Sequence, residues 1–285
     1  MTDVPAVRSM RASDLAFAAS LTLAERWHSE TQEEFEGFFA RDPAGCLIVE
    51  QAGRPLGIGV ATAYGAVGFL GQIVVCPDAR GQGVGHRIIA ALVDHLERSG
   101  VRSMYLDGTQ AGVPLYEHHG FLRVQPSLRF AGTLHGAAHP HVRPMRDADL
   151  DAVCALDRTW WGADRGFFIR RRRQLHPDLC HVFERDGVIA GYVLARRRGD
   201  KLWIGPWCAA PDVEAPEALV GALAAPGVAV QAHAGALASS TRAREALLRL
   251  GLAAGNDPPW RMVRGPDVRL AHRPEVLANG TSAKG

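Results

Sequence analysis

The sequence has no apolar run long enough to span a membrane as a helix, so a helical membrane protein is excluded as the reading. Its first residues lack the basic-then-apolar pattern of a secretory signal, and none is expected there. The five cysteines, at 46, 76, 154, 180 and 208, include no C-x-x-C pair. An odd, scattered set in a chain without an export signal predicts reduced thiols in a cytoplasmic protein. Charge of one sign is also missing: 32 Lys+Arg against 30 Asp+Glu leave +2 at pH 7. That argues against broad nucleic-acid binding, although residues 170–173 and 196–198 are local arginine runs. At 285 residues the chain is long for one small domain and comfortable for two.

What is present centres on one stretch. A β-type run, Ile73, Val74 and Val75, ends at Cys76-Pro77. Arg80-Gly81-Gln82-Gly83-Val84-Gly85-His86 follows, and a helical pattern of Ile88, Ile89, Leu92, Val93 and Leu96 begins at once. Glycines let the backbone take positive φ and approach a ligand closely. The first amides of a helix have no internal partner and lie at the positive end of its dipole. Strand, glycine-rich turn and helix therefore predict an anion site, with Arg80 able to contact a phosphate. No Gly-Lys-Ser/Thr follows, which excludes the P-loop, and the G-x-G-x-x-G spacing of dinucleotide folds is absent.

Arg80-x-x-Gly83-x-Gly85 after such a strand end resembles the pyrophosphate loop of GNAT N-acetyltransferases. The resemblance implies acetyl-CoA as the acetyl donor, held by the loop and by the backbone of Ile73, Val74 and Val75. The order of elements read from the periodicities, β-α-α-β-β-β-α-β-α-β to about Phe130, is the GNAT order. The fold class expected is α/β in the α+β sense, a mostly antiparallel twisted sheet flanked by helices.

The chain then repeats itself. Val142-Arg143-Pro144-Met145-Arg146 and Asp149-Leu150 echo Val7-Arg8-Ser9-Met10-Arg11 and Asp14-Leu15, 135 positions on (142 − 7). Glu184-x-x-Gly187 echoes Glu50-x-x-Gly53. Two copies of one fold are expected: a catalytic domain over 1–131, a linker over 132–140, a degenerate copy over 141–273, and a frayed tail over 274–285. In the second copy, Glu214-Ala215-Pro216-Glu217 stands near the loop position, with carboxylates where a phosphate would lie. The arrangement resembles tandem GNAT proteins of bacteria with an active first domain. Asp157, Arg165, Gly205-Pro206-Trp207 and Arg261-Met262-x-Arg264-Gly265 look like signatures of the second domain in that group.

Acetyl transfer needs a proton for the departing thiolate. Leu115-Tyr116-Glu117-His118-His119-Gly120-Phe121 resembles the GNAT signature in which the tyrosine lies by the CoA sulfur, which makes Tyr116 the expected donor; an ordinary phenol, at about pH 10, is protonated at neutrality. The base is less marked, because Leu70-Gly71-Gln72 offers no carboxylate. Asp107, Glu25 and His28 are candidates. Trp27, Trp160, Trp161 and Trp207 are candidates for an acceptor groove between the copies. No metal site is expected, since adjacent His118 and His119 do not share a helix face.

The reading is a cytoplasmic acetyl-CoA-dependent N-acetyltransferase acting on a primary amine. A small molecule is preferred as acceptor because no long acidic stretch exists to hold a basic peptide. Partners other than that amine, nucleic acid and membrane included, are not expected; a monomer in which the second copy stands in for a dimer partner, or a homodimer, fits equally. Two rivals remain: a transferase drawing on another donor such as charged tRNA, and a non-catalytic binder of CoA or a metabolite.

Overall fold

The computed structural model describes residues 4–27, 30–213 and 216–281. The chain divides into two units, each interrupted in sequence. The first comprises Met1–Val124 and Trp260–Val268, the second Gln125–Pro259 and Arg269–Thr281. No helix among the described residues is long and apolar enough to cross a membrane.

The first unit runs β1 (Ala6–Ser9), α1 (Leu15–Ala24), α2 (Gln32–Arg41), β2 (Cys46–Gln51), β3 (Arg54–Tyr64), β4 (Val67–Val75), α3 (Val84–Arg98), β5 (Ser103–Gly108) and α4 (Val113–His118). The chain leaves it through β6 (Leu122–His135). The second unit adds β7 (Val142–Pro144), α5 (Leu150–Trp161), α6 (Gly166–Leu175), β8 (Cys180–Arg185), β9 (Val188–Arg198), β10 (Lys201–Ala209), α7 (Glu217–Gly221), β11 (Ala229–Leu237), α8 (Thr241–Arg249) and β12 (Leu252–Ala254). Two late strands follow, β13 (Trp260–Arg264) and β14 (Val276–Ala278).

In the first unit the strand order is β1-β2-β3-β4-β5-β13, antiparallel except for β4 against β5. Helix α3 buries Val84, Ile88, Ile89, Leu92, Val93 and Leu96, the stripe that its sequence spacing dictates. In the second unit the order is β6-β11-β10-β9-β8-β7, with β12 also on β6 and β14 also on β10. Each copy thus takes its last long strand from elsewhere in the chain. Arg261-Met262-x-Arg264, expected as a mark of the second copy, forms β13 and completes the sheet of the first, Arg261 opposite Asp107. Tyr105 fastens the following segment: its hydroxyl donates to Asp267 Oδ1 (2.9 Å) and accepts from the Val268 amide (2.9 Å).

Two expectations about boundaries change. Residues 132–135, expected as linker, continue β6, and Leu134 is fully buried in the core of the second unit. The segment from residue 274, expected to fray, forms β14, where Val276, Leu277 and Ala278 are all buried. The three apolar residues outweigh the small polar residues around them.

The repeat has a physical basis. Arg8 bonds Asp14 (Nη1 to Oδ2, 2.7 Å) and Glu50 (Nε to Oε2, 2.8 Å). Arg143 bonds Asp149 (2.6 Å) and Glu184 (2.7 Å) through the same atoms. Each aspartate also accepts a main-chain amide, from Arg11 at 2.7 Å and from Arg146 at 2.6 Å, and so ties the first helix of its unit to the first strand.

Candidate functional site

The parallel pairing of β4 with β5 is short. It covers Val67 with Ser103, Gly68 with Met104 and Phe69 with Tyr105, and then the strands part. On the β4 side a bulge helps to open the fork: its register against β3 slips between Ile58 and Val60, and Gln72 takes a φ of 53°. Further on, the Cys76 amide donates to Leu56 O on β3 (2.8 Å). By strand alternation the main-chain groups of Val75 then face the other way, into the fork.

The loop after β4 turns through Gly81 and Gly83, at φ of 77° and 79°. A Cβ on either would meet no heavy atom within 4 Å, so this backbone is open to a ligand. The first internal bond of α3 after the loop runs from Arg87 N to Gly83 O (3.2 Å). The amides of Val84, Gly85 and His86 therefore lie before the ladder, at the positive end of a 15-residue helix. Gln82 Nε2 donates to Asp78 O (2.8 Å) and fixes the turn. Arg80 Nε donates to Val75 O (3.2 Å), and its Nη2 pairs with Glu25 at the end of α1. The loop and the N-terminal helix region are thus joined by one ion pair. His86 Nδ1 lies 3.1 Å from His119 Nε2, either nitrogen being donor according to tautomer.

Tyr116 lies on α4, with its ring against Gly108 at the end of β5. A Cβ on Gly108 would sit 2.8 Å from Tyr116 Cδ2, and one on Gly112 would sit 2.8 Å from Cε2. Only glycine leaves the ring that space. Phe121 holds its other side, edge to face, at a centroid distance of 6.4 Å. The hydroxyl makes no hydrogen bond among the described residues, and burial pushes the phenol up to about 12. At neutral pH it carries its proton.

The candidate bases are otherwise engaged. Asp107 Oδ1 accepts from Arg261 Nε at 2.6 Å, in a pair with side chains 2% and 1% exposed. Glu25 is the partner of Arg80. His28 lies outside the described residues. Trp27 is half-buried after α1. Trp160, Trp161 and Trp207 do not line an open groove: they are 8%, 1% and 0% exposed, within the second unit. Trp161 lies beneath the Arg165 guanidinium (4.2 Å to the ring centroid), and Arg165 Nε donates to the buried Asp157 (3.1 Å). Apolar side chains able to stack on a buried ion pair were drawn into the core with it. The sequence reading missed that Gln72 sits on the bulge beside the fork and that Arg261 packs over Phe69 where the fork begins. A glutamine after glycine inside an apolar strand was the available signal for the first.

The second unit has a corresponding fork, and it is filled. Strands β10 and β11 run parallel from Lys201 with Gln231 to Ile204 with Ala234. Beyond that, β14 enters between them. Ala278 pairs with Trp207, Ala209 N donates to Glu275 O (2.9 Å), and Asn279 N donates to Gly235 O (2.9 Å). The helix after β10 is the five-residue α7.

A family described as "Acetyltransferase (GNAT) family" matches residues 11–121, and an "Acetyltransferase (GNAT) domain" matches residues 153–275. A mycothiol acetyltransferase of Thermobispora bispora is 36% identical over 92 residues, 29% of this chain. The match spans 31% of that relative's own length. A candidate acetyltransferase of Pyrococcus horikoshii shares the fold with a TM-score of 0.81 at 18% identity, over 99% of this chain and 96% of that one. A GCN5-related N-acetyltransferase of Sphaerobacter thermophilus shares it with a TM-score of 0.65 at 16% identity, over 94% and 98%.

Proposed function

Because this chain belongs to the GNAT acetyltransferase family and carries two GNAT domains in tandem, we propose that its first unit moves an acetyl group from acetyl-CoA to the primary amine of a small molecule. The observation that carries the reading is a contrast. One fork is open and followed by a glycine loop with unpartnered helix amides; the other is closed by β14 and followed by a helix of one turn.

The residues fit the donor. Gly81 and Gly83 leave open space over the backbone, and the amides of Val84, Gly85 and His86 point from the helix start, which suits a diphosphate. Arg80 adds a cation there when it exchanges Glu25 for phosphate. The main chain of Ile73, Val74 and Val75 lines the fork and suits a pantetheine arm. When bound, acetyl-CoA supplies the acetyl group as a thioester. The amide of Val75, preset in the fork, serves as a donor to a carbonyl oxygen whose charge grows. Tyr116, neutral at pH 7 and more so for its burial, gives its proton to the departing thiolate and regains one from solvent, to which the attacking amine loses its own. The second unit serves as scaffold in this reading.

No side-chain base is assigned. Asp107 and Glu25 are ion-paired, and neither sits free to take a proton. An alkylamine titrating near 10.4 costs about 4–5 kcal/mol to deprotonate at pH 7. The rate with such an amine is therefore expected to climb roughly tenfold per pH unit from 7 towards 9, following the free-base fraction. A cytoplasmic location is part of the reading: all five cysteines are free and buried.

The test is thiol release from acetyl-CoA across a panel of amines. Release that depends on the amine supports the reading. Tight CoA binding with no release from any amine supports a non-catalytic binder instead.

A further inference from the structure

We propose that the fork between β4 and β5 contains a carboxylate subsite, formed by the guanidinium of Arg261 and the side-chain amide of Gln72, and that the acceptor is a small amine bearing a carboxylate. The proposal rests on the acetyltransferase reading and names the acceptor class within it.

Arg261 is 1% exposed. Its Nε is spent on Asp107, 2.6 Å away, while Nη1 and Nη2 are buried and find no hydrogen-bond partner among the described residues. A guanidinium offers five N–H donors in a rigid plane, so four remain on the two open nitrogens. Gln72 is 3% exposed, and both atoms of its amide are likewise buried without a partner. Buried donors left unpaired are rare in folded proteins, and each asks for an explanation.

Their placement supplies one. The guanidinium carbon lies 5.1 Å from the centroid of Phe69, which stacks on Tyr105 at 5.7 Å. Phe69 and Tyr105 are the last pair before β4 and β5 part. Arg261, on the far side of β5, thus reaches across that strand to the base of the fork. Gln72 stands three residues beyond Phe69, on the bulge of the β4 flank. On the β5 flank, Gly108 follows Asp107 and carries the ring of Tyr116. A ligand whose anionic end rests at the base of the fork then has its other end on the side of the proton donor.

The chemistry selects a carboxylate. Two open nitrogens of one guanidinium match its two oxygens side by side, and an amide N–H of Gln72 adds a third donor. Asp107 is a positioning residue: it occupies Nε and turns the open edge away from itself. Short amino acids, with amine and carboxylate a few bonds apart, are the class that fits.

The experiment compares L-amino acids with their own carboxamides as acceptors. For the best acceptor, kcat/KM is expected to favour the acid at least tenfold. Replacing the pair together, Arg261→Gln with Asp107→Asn, leaves no orphan charge and is expected to bring that ratio close to one. Gln72→Met, a milder change, is expected to lower it several-fold. Unchanged CoA affinity reports that each variant is folded. Thermal shift in the presence of CoA gives a readout without turnover: the acid, not the amide, raises the Tm of the wild-type chain, and the double substitution abolishes the rise. Equal use of acid and amide, or a preference that survives in variants still binding CoA, overturns the subsite and leaves acetyl transfer standing. Stabilisation by the acid with no acetylation of any amine supports the subsite and counts against acetyl transfer.

Discussion

Asp107 and Arg261 face each other across paired strands, and the carboxylate that position alone recommends as a base is bound to the guanidinium at 2.6 Å. Both side chains are almost fully buried. Removing either partner alone strands a charge, which typically costs several kcal/mol. In the proposed reading the pair fixes the far side of the fork, and the proton transfer falls to groups on its rim.

Tyr116 is the first of these. Tyr116→Phe keeps the ring between Gly108 and Gly112 and removes only the hydroxyl. Turnover is expected to fall at least about tenfold with CoA affinity little changed, a loss confined to the transition state. Because burial raises the phenol to about 12, the wild-type rate should show no decline from its ionisation below about pH 10. Steady-state kinetics and CoA calorimetry check both; equal turnover in the variant removes the donor role. Gly108→Ala, which forces the ring away, is expected to reproduce the loss.

Arg80 is shared between two partners in the same reading. It is paired with Glu25, and it lies beside amides that suit a diphosphate. Arg80→Ala is expected to weaken CoA binding about tenfold, and Glu25→Gln to tighten it several-fold by removing the competing carboxylate. The tightening should shrink as salt rises, since the pair is partly exposed. Calorimetric titration with CoA at two salt concentrations reads both effects.

Two matched clamps set the response to acid. The hydrogen bond from Arg8 holds Asp14 below the usual carboxylate range, and that from Arg143 does the same for Asp149. Their stabilisation is complete above the unfolded value near pH 4 and is lost as pH falls through the lowered folded values. Tm should therefore drop below about pH 4. Arg8→Met and Arg143→Met should lower Tm at neutral pH and flatten that acid limb, as thermal melts across pH 2–7 will show.

The C-terminal strand is a structural part of the second unit. A stop codon after Arg273 removes Val276 and Leu277, each fully or almost fully buried. At about 1.5–3 kcal/mol per large apolar side chain, stability should fall by roughly 3–6 kcal/mol. Opening that fork should create no CoA site, since the sequence between β10 and α7 holds no glycine. Melting and CoA titration of the truncated chain test the two halves of this statement.

What the sequence made legible was local. Arg80 to His86 declared itself by spacing, and the clamps showed as a repeat because Arg8, Asp14 and Glu50 recur with Arg143, Asp149 and Glu184. What it concealed was long-range. The partner of Asp107 lies 154 positions away, in a strand whose own motif seemed to belong to the other copy. The tryptophans were visible, but burial is decided by packing. The apolar triplet of Val276, Leu277 and Ala278 was short enough to be lost in a small, polar tail.

The central claim is that one copy holds the thioester carrier and the other has closed its fork. Calorimetric titration of the full chain with acetyl-CoA tests it most directly. One site per chain is predicted, abolished by Gly83→Glu in the first loop and kept when Trp207 of the second unit is replaced by Phe. Two sites per chain, or one site that survives Gly83→Glu, would contradict the account.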